Sequence, residues 1–118
     1  MAEKKNAISY ESIMKDLKAR KFAPVYVLMG DEPFYIDKIC DYIAENVLQP
    51  EERDFNQTVL FGADATVVQV VDQCKGYPMM AEFRVVIVKE AQNLKSLDAL
   101  EKYLEKPVKS TVLVICNK

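Results

Sequence analysis

Gly30, Asp31, Glu32, Asp37 and Lys38 are residues able to do chemistry in the stretch "VYVLMGDEPFYIDK" from Val25 to Lys38. An apolar run ends at Gly30, a charged turn follows, and an amphipathic pattern begins. Strand, glycine turn, helix is the layout of a phosphate-binding loop, G-x-x-x-x-G-K-[S/T]. In such a loop the glycines let the backbone wrap phosphates, the lysine reaches the β and γ phosphates, and the hydroxyl binds Mg²⁺. Counted from Gly30, the second glycine position holds Tyr35, the lysine position Ile36 and the hydroxyl position Asp37. Asp31 and Glu32 place negative charge where a triphosphate would lie. The other half of an ATP site is a later strand closing on acidic residues, which hold Mg²⁺ and orient water. Here "VVIVKE" closes on Lys89 and Glu90, a cation in the metal-ligand position. The layout is present and its chemistry is missing, so no cofactor, no metal and no ATP hydrolysis are expected. On spacing alone, a tight turn between a strand and a helix in some other α/β fold is the favoured reading.

Other chemistries are narrowed by composition. The 118 residues contain no histidine, which removes the commonest general base and metal ligand and leaves carboxylate and Mg²⁺ chemistry open. Cys40, Cys74 and Cys116 sit singly inside apolar patterns and read as buried free thiols of a reducing cytoplasm. The formal net charge of −2 gives no electrostatic footprint for avid nucleic-acid binding by this chain alone. No apolar run approaches the length of a membrane span, and "MAEKKNAISYESI" lacks the apolar core of a secretion signal. The sequon at Asn56–Thr58 is therefore read as chance.

The elements that must position these residues follow from glycine, proline and apolar spacing. A leading helix places Tyr10, Ile13, Met14 and Leu17 on one side, capped by Ser9 or a neighbour. The first strand is Val25–Met29. Pro33 suits a first helical turn, and Ile36, Ile39, Cys40, Ile43 and Val47 form the stripe of the helix that follows. A short strand runs over about Asn56–Phe61, stopped by Gly62. Asp64 is the expected cap of a helix carrying Val67, Val68, Val71 and Cys74, which Gly76 ends from a C′ position. A third strand covers Arg84–Val88. A helix capped by Ser96 shows Leu97, Leu100, Tyr103 and Leu104, and a fourth strand, Thr111–Cys116, closes the chain. The strands are short, valine-rich and almost continuously apolar, as in a parallel sheet covered on both faces. The expected class is a three-layer α/β sandwich. Because the most apolar strand comes last, the 118 residues are expected to be the N-terminal part of a longer protein.

Four landmarks in order resemble the delta subunit of the bacterial replicative DNA polymerase clamp loader: "PVYVLMGDEPFYIDKICDYI", "ERDFN", "YPMMAEFRVVIVKEAQNL" and "YLEKPVKSTVLVICNK". The resemblance spans nearly the whole chain. It implies an AAA+ domain on a P-loop core over residues 1–118, with lid and collar domains lying beyond them. It also implies a subunit that does not turn over ATP, within a holoenzyme that has DNA-directed DNA polymerase (nucleotidyltransferase) activity.

The resemblance further implies a mechanism. An apolar pair just before the third strand enters a pocket on the ring-shaped sliding clamp (beta) and holds one ring interface open. The matching residues are Met79 and Met80, after Pro78, with Phe83 nearby. This sequence departs from the family's usual Leu-Phe pair, and of its Arg-Arg pair only Arg84 remains, Phe83 taking the first position. Other loader subunits (gamma/tau and delta prime) would be met mainly through the collar, DNA only in the assembled complex, and no membrane. Without the resemblance, two methionines beside a buried strand read as core. Two other classes compete: a catalytic P-loop NTPase with an unusual loop, and a small receiver-like α/β module using Asp31, against which Lys89 argues.

Overall fold

The computed structural model describes residues 10–29, 33–95 and 98–117. Expectations at Ser9, Gly30, Asp31, Glu32, Ser96 and Leu97 lie outside the described residues. The elements run α1 (Tyr10–Lys18), β1 (Val25–Met29), α2 (Pro33–Asn46), α3 (Pro50–Asn56), β2 (Gln57–Phe61), α4 (Val67–Lys75), β3 (Arg84–Lys89), a 3₁₀ turn (Ala91–Asn93), α5 (Asp98–Glu105) and β4 (Thr111–Asn117).

All four strands are parallel, in the order β1-β4-β3-β2. The last strand in sequence thus lies inside the sheet, between β1 and β3. Alternate residues of β3 and β4 face opposite layers. Val85, Ile87, Val112, Val114 and Cys116 meet α1 and α2 through Leu17, Ile36, Ile39, Cys40 and Ile43. Val86, Val88, Leu113 and Ile115 meet α4 and α5 through Val67, Val70, Cys74, Leu100 and Tyr103. Both faces being dry, every position from Val85 to Val88 and from Thr111 to Cys116 is buried, which is why these strands read as unbroken apolar runs. The three-layer α/β sandwich is therefore the observed class. Among the described residues no helix is long and apolar enough to cross a membrane.

Three local readings change. The cap of α4 is Thr66, not Asp64. The Thr66 hydroxyl accepts the Gln69 N–H at 3.1 Å and the Gln69 side chain accepts the Thr66 N–H at 2.8 Å, a reciprocal capping box. Gly76 ends α4 in extended backbone rather than a left-handed turn. What it supplies is space, since a Cβ there would sit 3.1 Å from Cζ of Arg84. Finally, α3 is a helix that hydropathy does not announce: seven residues are too few for an apolar stripe. Pro50 starts it, and the Glu52 carboxylate accepts the Gln49 N–H at 2.9 Å.

Candidate docking site

The described part of the phosphate-loop layout is filled with packing. Tyr35 stands in the second glycine position, its ring 4.7 Å from that of Tyr10 on α1 and 5.3 Å from that of Phe34. Ile36, in the lysine position, is only 5 % exposed and belongs to the core between α2 and the sheet. Asp37 lies on the exposed side of α2. One turn on, Cys40 faces Cys116 of β4. The Cys116 thiol donates to the Cys40 sulfur, which lowers Cys40 below the ordinary thiol range and pushes Cys116 up, burial adding to the rise. With Cys74, these are buried free thiols, as their apolar settings imply.

At the end of β3, Lys89 pairs with Phe61 of β2, and its carbonyl accepts the Gly62 N–H at 2.8 Å. Glu90 turns left-handed, with φ 54°, to start the 3₁₀ turn. Its carbonyl closes on Gly62 so tightly that any Cβ there would lie 2.1 Å away, which is why a glycine ends β2. Lys89 and Glu90 thus join strands at their ends.

The opposite end of the sheet is built differently. The segment from Gly76 to Phe83 leads from α4 into the start of β3 and is held at both ends. At its base, Arg84 donates through Nε to the Gln73 carbonyl at 3.1 Å and through a terminal nitrogen to the Gln73 side-chain oxygen at 2.7 Å. The same oxygen accepts the Thr58 hydroxyl at 3.2 Å, and the Thr111 hydroxyl donates to the Cys74 carbonyl at 2.7 Å. The surviving arginine therefore fastens the end of α4 to the strand after the loop.

At the tip, Met79 is 59 % exposed and Met80 is 99 % exposed. Met80 also has φ 56°, a left-handed conformation that L side chains adopt at a cost of roughly 1–2 kcal/mol. Neither methionine belongs to the buried core. Phe83 differs from them: it is half-buried against the core and its ring meets Phe22 edge-on at 5.4 Å. Phe22 lies in turn under the Arg20 guanidinium, which donates to the carbonyls of Asn46 and Val47 at the end of α2. With Arg20, Leu48 and Glu52, Phe83 lines a cleft of about 180 Å³. Phe83 thus anchors the loop to the body, while the two methionines stand out from it.

Reading the sequence for chemistry misses Asn56. It lies beside the exposed Phe55 at the end of α3, is only 1 % exposed, and reaches across to the backbone of Met79. The available signal is its place in "ERDFN", just before β2.

A buried parallel sheet between helical layers, with the order 1-4-3-2 and a helix after the first strand, defines a three-layer α/β domain of P-loop layout. A sequence profile of the family "DNA polymerase III, delta subunit" matches residues 26–118, and the chain belongs to that family. It is 30 % identical over 113 residues to the DNA polymerase III subunit delta of Bacillus subtilis (strain 168), a match covering 87 % of this chain and 33 % of that protein. The solved structure of the Bacillus subtilis DNA clamp loader delta protein superposes with a TM-score of 0.82 at 27 % identity, over 93 % of this chain and 36 % of that one. A gamma subunit-related protein of DNA polymerase III from Thermotoga maritima shares the fold alone, with a TM-score of 0.55 at 17 % identity, over 80 % of this chain and 34 % of its own. The chain spans about a third of the length of these relatives.

Proposed function

We propose that this domain is the clamp-gripping, N-terminal part of a clamp-loader delta subunit. It takes part in DNA replication by binding the sliding clamp and holding the ring open while the clamp is loaded. Met79 and Met80 enter an apolar pocket on the ring. Flexible, polarizable thioethers suit an adaptable surface, and burying the pair supplies about 3–6 kcal/mol before ordering costs. The domain works without ATP turnover, since the lysine, hydroxyl and second glycine of a phosphate loop are replaced by Ile36, Asp37 and Tyr35. Lid and collar domains beyond these residues meet the gamma/tau and delta prime subunits in the cytoplasm, and DNA is met only in the assembled loader.

The observation that carries this reading is the exposed methionine pair at the tip of an anchored loop, in a chain of the delta family. The test replaces both by alanine and measures binding to the sliding clamp of the same organism beside thermal melting. Lost binding with nearly unchanged melting supports the reading. A drop in stability of about 2–5 kcal/mol per methionine, as for truncation in a core, would overturn it.

A further inference from the structure

The tip of the Gly76–Phe83 segment presents a physical problem. Met80 is wholly exposed and in a left-handed backbone, so its own side chain makes no packing contact that could hold that conformation. Residues in such backbone states persist when surrounding structure over-determines them. The constraint sits one residue earlier. The Asn56 side-chain oxygen accepts the Met79 N–H at 2.6 Å, and its Nδ2 donates to the Met79 carbonyl at 2.9 Å. The same nitrogen donates to the Glu52 carbonyl one helical turn back, at 2.9 Å. One planar amide thus satisfies both backbone groups of Met79 and is itself fixed to α3.

The chemistry demands asparagine. Holding both an N–H and a C=O of one residue requires an acceptor and a donor on the same short side chain. Aspartate keeps the acceptor, but its second oxygen faces a carbonyl. Leucine has neither group, and glutamine is one methylene too long. Burial strengthens the arrangement, because an unpaired amide here would carry its full desolvation penalty.

We infer that Asn56 is a positioning residue for the docking site: its carboxamide fixes the Met79 backbone and so presents the Met79–Met80 pair preformed to the clamp. The inference rests on the function proposed above. A preformed loop escapes the ordering cost that a loose one meets on binding.

The test is a double-mutant cycle in the full chain, read by sliding-clamp affinity, with melting and amide hydrogen exchange alongside. Asn56→Ala is expected to weaken clamp binding by about tenfold, the size of one to two lost net hydrogen bonds. Asn56→Asp keeps the acceptor but turns its second oxygen on the Met79 and Glu52 carbonyls, so it is expected to lose at least as much. Exchange at the Met79 amide speeds up in Asn56→Ala, which removes its acceptor. Added to Met79→Ala/Met80→Ala, Asn56→Ala changes nothing further, because the clasp acts only through the pair. Should Asn56→Ala melt below the working temperature, the neutral and larger Asn56→Thr, which cannot hold both Met79 backbone groups, carries the comparison. An equal loss in both backgrounds, or unchanged affinity despite faster Met79 exchange, overturns the inference alone. Clamp binding that ignores the methionines altogether overturns the proposed function and takes this inference with it.

Discussion

Among the described residues, the two ends of the sheet are finished in opposite ways. In open α/β sheets, ligands usually sit beyond the carboxyl ends of the strands. Here the described part of that end is given to packing. Ile36 is core, Tyr35 meets the Tyr10 ring at a tilt, and Lys89 and Glu90 close on Gly62. The amino end carries the opposite signs: two exposed methionines, a left-handed residue, and a buried amide and an arginine holding the loop that bears them. Under the proposed function, one scaffold gives up the chemistry of one end and binds with the other, because the core between them depends on neither.

The comparison can be broken most directly through the methionines. Met79→Ala/Met80→Ala is expected to lower clamp affinity about 100-fold or more, around half the gross burial energy of the pair, with the melting temperature nearly unchanged. Equal affinity would remove the binding end from the argument. Attacking the other end, Ile36→Lys restores the lysine position of a phosphate loop. It is expected to destabilise the fold by about 3 kcal/mol or more, by placing an ammonium group in the core. A nucleotide titration of that variant should show no binding, and measurable ATP affinity would mean that the end is dormant rather than converted.

Smaller effects sharpen the division. Arg84→Ala removes two hydrogen bonds to Gln73 and is expected to cost about 1–2 kcal/mol in chemical denaturation, with a loss of clamp affinity smaller than that from Asn56→Ala. Met80→Gly separates backbone from side chain. Relief of the left-handed strain is expected to raise stability by up to about 1 kcal/mol while clamp binding weakens. If stability fell instead, the exposed methionine would be supporting the fold.

Most of the fold was legible because burial on two faces leaves a strong mark. Val25–Met29 was bounded by Pro24 and Gly30, and the unbroken apolar runs of β3 and β4 announced covered parallel strands. α3 was not legible, since its stability comes from Pro50 and from the Glu52 carboxylate, not from periodicity. The cap of α4 shifted from Asp64 to Thr66 because the reciprocal bond to Gln69 outweighs a solitary acidic side chain. At the docking site, the position of Met79 and Met80 came from resemblance, since the apolar pattern by itself argued for core. Phe83 was grouped with them, and only tertiary contact with Phe22 separates its role. Asn56 could not be found by pattern, because its partner is a backbone 23 residues away.

The placement of β4 has a consequence for how the chain acquires its structure. Among the described residues β1 pairs only with β4, Val25 opposite Leu113, and β3 lies on the other flank of β4. During vectorial synthesis the first strand must wait, unpaired, for nearly the whole domain to leave the ribosome. Pairings this distant in sequence close slowly, and a waiting apolar strand is open to association with other chains. Folding should therefore come in two stages, with β2, β3 and α4 able to gather first and the β1 side joining only when residues 111–117 are available.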